Sequence, residues 1–243
     1  MTYPRTVVVS QPMFFPWLGL FEQIRLADVF VHYDDVQLPQ GRSLMSRVQI
    51  KTNKGTQWMS ASLDRQRSGQ AINQSWLVSN RQWRQSHLHL LQQHYRNAPH
   101  FDDMFALAQE LYGFDAENLA DFNINGVERI AAWLDLSPQF SRSSQLGIPG
   151  ASSQRLLDLC KHYQASDYVT GLGALNYIDY ALFEAQSIAI RFMDYRKMAY
   201  PQLHGVFTPY VSVFDAIANC GTATKALLCS DSIYWKDYTN EPG

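Results

Sequence analysis

Apolar residues along the chain fall into short β-branched runs separated by stretches with helical spacing. Thr6–Ser10 (TVVVS) is such a run, and Gln11-Pro12 ends it as a Pro-bounded strand ends. Pro16 then stands at a plausible first helical position, with apolar residues at helical spacing through Ile24. Asp28–Tyr33 (DVFVHY) reads as a second strand, so the opening predicts parallel pairing through a crossover. Trp58–Leu63 alternates and predicts a further strand. The middle is helical: Arg81–Arg96 behind Asn80 as N-cap and stopped at Ala98-Pro99, then Asp102–Tyr112 and Glu117–Leu136, separated by Gly113. Between Ser137 and Ser153 the composition shifts to Ser, Gly and Pro, with a short strand at Gln139–Ser143, which marks a boundary. A helix over Ser153–Tyr163, a strand at Asp167–Thr170, a helix over Leu175–Gln186 and a strand at Ile188–Tyr195 complete the pattern. The fold class predicted is α/β: a mainly parallel sheet flanked by helices, with a helical insertion at about residues 75–136 between two α/β stretches. One domain would span residues 1–221, leaving 222–243 as a C-terminal tail.

Composition narrows the function classes. Hydrophobic residues form 46% of the 243, enough for a substantial core, which makes disorder a poor reading. Lys and Arg number 20 against 22 Asp and Glu, and a net charge of −2 offers no broad footprint for nucleic acid or a membrane surface. Cys160, Cys220 and Cys229 are odd in number, widely spaced and in no C-x-x-C pair, which argues against a disulfide framework or a cysteine-built zinc site. The longest apolar stretch, Met13–Phe21, is shorter than the roughly 20 residues a membrane helix needs. Gln11, Pro12, Pro16 and Glu22 also break it up as a signal-peptide core. The expectation is a soluble cytoplasmic protein with no nucleic-acid partner and no membrane insertion.

In open parallel sheets ligands bind beyond the carboxyl ends of the strands. Those ends carry Gln11, Asp34-Asp35, Thr170-Gly171 and Asp194-Tyr195, although loops are polar in any case. On a regular strand Asp34 and Asp35 would point to opposite faces, so one functional carboxylate and one structural cap is the expectation, without saying which. Arg42, Arg47, Lys51 and Lys54 concentrate positive charge, and even spacing puts Arg47 and Lys51 on one face of an extended segment. That pair suits a phosphate or carboxylate; ordinary solvated surface charge is the alternative. Gly171-Leu172-Gly173 lacks the third glycine of a dinucleotide fingerprint. His87 and His89 lie about 200° apart around a helix, and His87 and His94 two turns apart, so neither pair fits a metal. His87, beside Trp83 and Arg84, is a general base or a satisfied structural histidine. No nucleophile elbow, P-loop or zinc-protease motif is present, Cys160 reads as core, and no cofactor or metal is expected.

Many separated motifs, in order, resemble the WbqC-like protein family. They include Ser10-Gln11-Pro12 with Phe15-Pro16-Trp17-Leu18-Gly19, then Asp34-Asp35-Val36-Gln37, Ile50-Lys51-Thr52 and Trp83-Arg84 with His87-Leu88. Further matches are Asn97-Ala98-Pro99-His100-Phe101, Arg142-Ser143-Ser144, Arg155-Leu156-Leu157-Asp158, Thr170-Gly171, Asp194-Tyr195 and Tyr200-Pro201-Gln202-Leu203-His204-Gly205. The likeness spans roughly residues 6–221, and Thr222–Gly243 adds nothing recognisable. Around Ser43 the family tends to run Ser-Trp-Gln-Asn-Arg-Asn-Arg-Ile-Lys; here Leu44, Met45, Ser46, Val48 and Gln49 intervene, while Arg47 and Lys51 survive. The resemblance implies acyl or aminoacyl transfer onto the amine of a sugar nucleotide or small metabolite in surface-polysaccharide or natural-product biosynthesis. A thioester on an acyl carrier protein is a candidate donor. His87 or an Asp34/Asp35 carboxylate would take the amine proton. Gln11, Trp17, Gly19, Arg47, Lys51, Ser143, Ser144, Gly171, Asp194, Tyr200 and Gln202 would bind substrate. An ATP-dependent ligase or nucleotidyltransferase-like enzyme and a non-catalytic binding subunit of a biosynthetic complex are the alternatives.

Overall fold

A computed structural model describes residues 5–41, 43–65 and 67–238. The chain opens β1 (Thr6–Ser10), α1 (Leu18–Leu26) and β2 (Val29–His32). A long excursion follows: hairpin strands β3 (Arg47–Thr52) and β4 (Gly55–Ser60), then α2 (Gln82–Tyr95), α3 (Phe101–Gly113) and α4 (Leu119–Trp133). The chain returns through β5 (Gln139–Arg142), α5 (Ser152–His162), β6 (Asp167–Thr170), α6 (Tyr180–Glu184) and β7 (Ala189–Asp194), and ends with α7 (Val213–Cys220) and β8 (Asp231–Tyr234). The main sheet has the order β5-β2-β1-β6-β7-β8, all parallel except β8, which runs antiparallel on β7. The strands climb outward from β1 to one edge, then restart at β6 toward the other. This doubly wound order has its switch point between β1 and β6, where α/β sheets open a crevice at the carboxyl ends.

The unbroken valines of β1 follow from burial on both faces, as parallel sheets require. Val8, Phe30 and Val169 face α1 and the inserted helices, whereas Val7, Val9, Val29, Val31 and Tyr168 face α5 and α6. Asn118 caps α4, whereas Arg81, not the expected Asn80, stands at the N-cap position of α2. The Gln82 amide donates to Asn80 Oδ1 at 2.8 Å before α2, and the Asp121 amide to Asn118 Oδ1 at 2.9 Å in the first turn of α4.

Sheet and insertion are joined by the loop after β1. Phe15 adopts a left-handed backbone (φ 39°), which lets Phe14 and Phe15 both plunge into the inserted helices. The Phe15 ring lies 5.0 Å from Tyr112 and 4.9 Å from Phe214, centroid to centroid. A Cβ on Gly126 would stand 3.2 Å from it, so α4 needs glycine there for the ring to seat. Asn123 Nδ2 donates to the carbonyls of Pro12 (2.9 Å) and Met45 (2.7 Å), while Ser212 Oγ donates to Phe15 O and the Val213 amide to Pro16 O, each at 2.9 Å.

Other expectations change as well, and the strand expected at Trp58–Leu63 instead runs over Gly55–Ser60. The helix expected over Leu175–Gln186 shortens to α6, because the Asp179 carboxylate accepts the Leu182 amide and caps the chain there. Trp17, not Pro16, stands at the head of α1. Residues 222–243 are not merely a tail, since they supply β8; that strand was illegible because its pairing is with β7, not with a sequence neighbour. Arg42 of the basic cluster lies outside the described residues.

Removing the Phe15 ring should open a cavity at the junction, and Phe15→Ala should cost about 3–5 kcal/mol of unfolding free energy in urea denaturation. A loss below about 1 kcal/mol would show that sheet and insertion are held together elsewhere.

Candidate functional site

A cleft of about 260 Å³ sits beyond the carboxyl end of β1. Its walls come from the β1–α1 loop (Met13, Pro16, Trp17), from the hairpin and its approach (Leu44, Arg47, Gln49, Trp58), and from Tyr210. Tight aromatic packing shapes it, with the Trp17 ring centroid 5.0 Å from Tyr210 and 5.5 Å from Tyr195. A Cβ on Gly19 would come 3.3 Å from the Trp17 ring, so glycine lets the indole lie over the first turn of α1. Within these apolar walls stands one cation. The Arg47 guanidinium carbon lies 4.2 Å from the Trp58 ring centroid, and its Nε and Nη2 are buried with no hydrogen-bond partner among the described residues. Stacking on an aromatic face with unpaired donors is the arrangement in which arginine recognises a planar or tetrahedral anion.

The other charged candidates are bonded within the protein. Ser144 reaches Asp34 through its amide (3.0 Å) and Oγ (2.7 Å), and Ser143 Oγ lies 3.1 Å from Asp34 Oδ1 and 2.6 Å from Asp35 Oδ1. Arg155 Nη2 contacts Asp35 at 2.5 Å. Burial alone would raise the Asp35 pKa, but its bonds from Arg155 and Ser143 and the Arg155 charge outweigh that and hold it below the usual carboxylate range. Because β2 ends at His32 and the chain then turns, both carboxylates reach Ser143 rather than opposite faces. They clasp the loop after β5 to the end of β2.

Lys51 is likewise engaged. It shares the Arg47 side of β3, yet its ammonium donates to Gln202 Oε1 (3.0 Å), Gly205 O (2.9 Å) and Val206 O (2.6 Å). Three protons meet three acceptors, so the expected two-headed anion site reduces to Arg47 alone. Gln202 Nε2 donates onward to the Tyr200 hydroxyl at 2.9 Å, and Tyr200 and Tyr95 donate to the two oxygens of Asp215 at 2.8 and 2.9 Å. Asp215 is fully buried, and that burial raises its pKa against the pull of the tyrosine bonds. Lys51, Tyr200 and Gln202 thus fasten the segment that delivers Tyr210 to the cleft. Sequence reasoning missed Asp215; its signal was a lone carboxylate inside the apolar run Val211–Ile217.

His87 lies outside the cleft. It is buried among Phe14, Trp83 and Tyr112, with Nδ1 3.0 Å from the Tyr112 hydroxyl. Burial lowers its pKa to about 4, so it is a neutral core imidazole at physiological pH. Gln11, Gly171 and Asp194 do lie along the carboxyl edge. Gly171 admits Gln23 of α1, whose Nε2 would be 3.2 Å from a Cβ there, and Asp194 is exposed opposite Asp231. Among the described residues no helix is long and apolar enough to cross a membrane.

Fold and cleft define a doubly wound α/β protein with a helical insertion and an arginine-bearing cleft at the carboxyl edge of its sheet. The chain belongs to the WbqC-like protein family, whose model matches residues 11–226. It is 30% identical over 220 residues to an uncharacterized protein of Mycobacterium tuberculosis, Rv1507c, covering 89% of this chain and 94% of that one. No solved structure matches it.

The buried imidazole has a consequence for stability. Its folded pKa of about 4 lies below the ordinary 6.5, so its contribution is complete above pH 6.5 and is lost as pH falls toward 4. That window is worth on the order of 3 kcal/mol. His87→Phe should flatten the dependence of melting temperature on pH between 4 and 6.5; an unchanged slope would show that another group drives it.

Proposed function

We propose that the protein is a transferase that moves an acyl or aminoacyl group onto an amine of an anionic small molecule, working in the cytoplasm in surface-polysaccharide or natural-product biosynthesis. The observation that carries this reading is Arg47, a cation stacked on Trp58 inside an apolar cleft at the switch-point edge, its buried Nε and Nη2 without a hydrogen-bond partner among the described residues. It supports a substrate fixed by its anion with an apolar or planar part against Trp17, Trp58 and Tyr210. The reaction class is the one that the resemblance drawn from the sequence motifs implies. With an acyl carrier protein thioester as donor, the neutral amine attacks the carbonyl carbon, the C–N bond forms as the C–S bond breaks, and the departing thiolate takes the amine proton. Asp34, Asp35 and His87 are engaged elsewhere, so the step relies on positioning more than on a strong base.

A second reading, an ATP-dependent ligase or nucleotidyltransferase-like enzyme, draws support from the strand order shared with nucleotide-binding sheets. Against it, the first β–α turn holds Phe14-Phe15-Pro16-Trp17 where a glycine-rich phosphate cradle would stand.

The test is a panel of acyl and aminoacyl thioesters offered with amino-sugar nucleotides and small amines, reading thiol release and product mass. Arg47→Met should lower kcat/KM roughly 10- to 150-fold, the equivalent of losing about 1.5–3 kcal/mol in a charge-assisted contact. Its melting temperature should hold or rise, because two buried donors without partners are removed. Pyrophosphate release from ATP with no thiol release from any thioester would favour the second reading instead.

A further inference from the structure

Nε and Nη2 of Arg47, the two buried donors without a partner among the described residues, lie on the same edge of the guanidinium. Their N–H bonds run parallel there, and such an edge pairs with the two oxygens of one carboxylate. The Trp58 indole packs on the group, 4.2 Å from the guanidinium carbon to the ring centroid, and is 38% exposed. It is the side chain a ligand displaces to reach the edge.

The rest of the lining restricts what that ligand carries. Among the described residues that line the cleft, Arg47 alone is charged and none is Asp or Glu. One cation between apolar walls balances one negative charge, and a phosphate dianion would keep a second charge uncompensated. The volume, about 260 Å³, lies under the roughly 300–1,000 Å³ of drug-sized sites, so the occupant is small. An ammonium would enter beside the Arg47 charge, out of water and with no carboxylate in the lining to meet it. Desolvation and like-charge repulsion both favour the neutral amine there. Gln49 has its Nε2 committed to Thr56 Oγ1 at 3.2 Å, so its amide offers the cleft an acceptor for an amine N–H.

We infer that the cleft takes an amino acid with an apolar or aromatic side chain. Its carboxylate lies on the Nε/Nη2 edge of Arg47, its side chain against Trp17, Trp58 and Tyr210, and its amine is bound uncharged. This deepens, and rests on, the reading of the cleft as the acceptor site of the proposed transferase. The neutral amine is the form that attacks. Its nitrogen bonds the thioester carbonyl carbon, the C–S bond breaks, and the thiolate leaves with the amine proton, giving an N-acyl amino acid and a free thiol. No side chain has to take a proton from an ammonium, in keeping with the engagement of Asp34, Asp35 and His87 elsewhere.

Calorimetric titrations with phenylalanine, phenylpropanoate, phenethylamine and phenyl phosphate test it. Phenylalanine and phenylpropanoate should bind, and phenethylamine on the order of tenfold or more weaker. From pH 7 to pH 8 phenylalanine should gain roughly tenfold in affinity, because binding releases its ammonium proton, whereas phenylpropanoate should stay level. Both comparisons are read on the unaltered protein, so they hold whatever a substitution does to folding. Arg47→Met and Arg47→Lys should each weaken both carboxylates on the order of tenfold or more, the lysine because it keeps the charge and lacks the fork. Phenyl phosphate binding more tightly than both carboxylates, phenethylamine matching phenylalanine, or no binding of either carboxylate overturns the inference. So does an affinity for phenylalanine that is flat with pH, or full affinity in Arg47→Lys. Thiol release with amino-sugar nucleotides and with no amino acid would overturn it while leaving the transferase reading intact. Amino acid binding that depends on Arg47 and on pH, with no transfer from any donor, would do the opposite.

Discussion

The seating of Phe14 and Phe15 is the constraint on which the rest of the molecule depends. A left-handed phenylalanine costs on the order of 1–3 kcal/mol and persists only where its surroundings over-determine it. Here they do so from several directions: two buried rings, a glycine cleared for one of them, and flanking carbonyls held by Asn123, Ser212 and the Val213 amide. Each contact joins the first β–α loop to an element remote in sequence. The loop therefore cannot wrap a phosphate as a glycine-rich turn would, and it stands as a rigid wall with Pro16 and Trp17 facing the cleft.

The two basic residues of β3 show how neighbours decide what a charge does. Arg47 and Lys51 share one side of one strand. Lys51 meets three oxygens that saturate it, and its effect is to hold a loop. Arg47 meets an indole, which returns about 0.5–2 kcal/mol by cation–π attraction against about 1–3 kcal/mol for buried donors left unmade. That balance is close to zero or unfavourable, so packing gives little reason for arginine there. The proposed anionic substrate, which would supply acceptors, offers one.

Much of the framework was legible because it rests on local chemistry. The valine run of β1, the helix that begins just after Asn80 and the alternation of strand and helix each register within a few residues. What escaped reading depends on contacts across the chain. The strand β8 exists because β7 lies beside it, and Asp215 matters because Tyr95, more than a hundred residues earlier, reaches it. Asp34 and Asp35 carry the outward marks of a catalytic pair, and only the positions of Ser143, Ser144 and Arg155 give them structural partners. The even spacing that put Arg47 and Lys51 on one face was sound geometry; spacing could not tell which head would find acceptors.

Resemblance to the family covers the fasteners and one cleft wall, Pro16 and Trp17, while the departures concentrate on the approach to the hairpin and on β3. The residues that carry the likeness, among them Pro12, Phe15, Lys51, Ser143, Ser144, Tyr200 and Gln202, are the fasteners that hold the cleft walls in place. Three of the departures after Ser43, Leu44, Val48 and Gln49, line the cleft. Where the family pattern puts a second arginine, this chain has Gln49, whose amide bonds Thr56 across the hairpin at 3.2 Å. One cation is thereby removed from the β3 wall. Such a change alters the surface of the cleft while the fasteners, and with them the fold, stay the same.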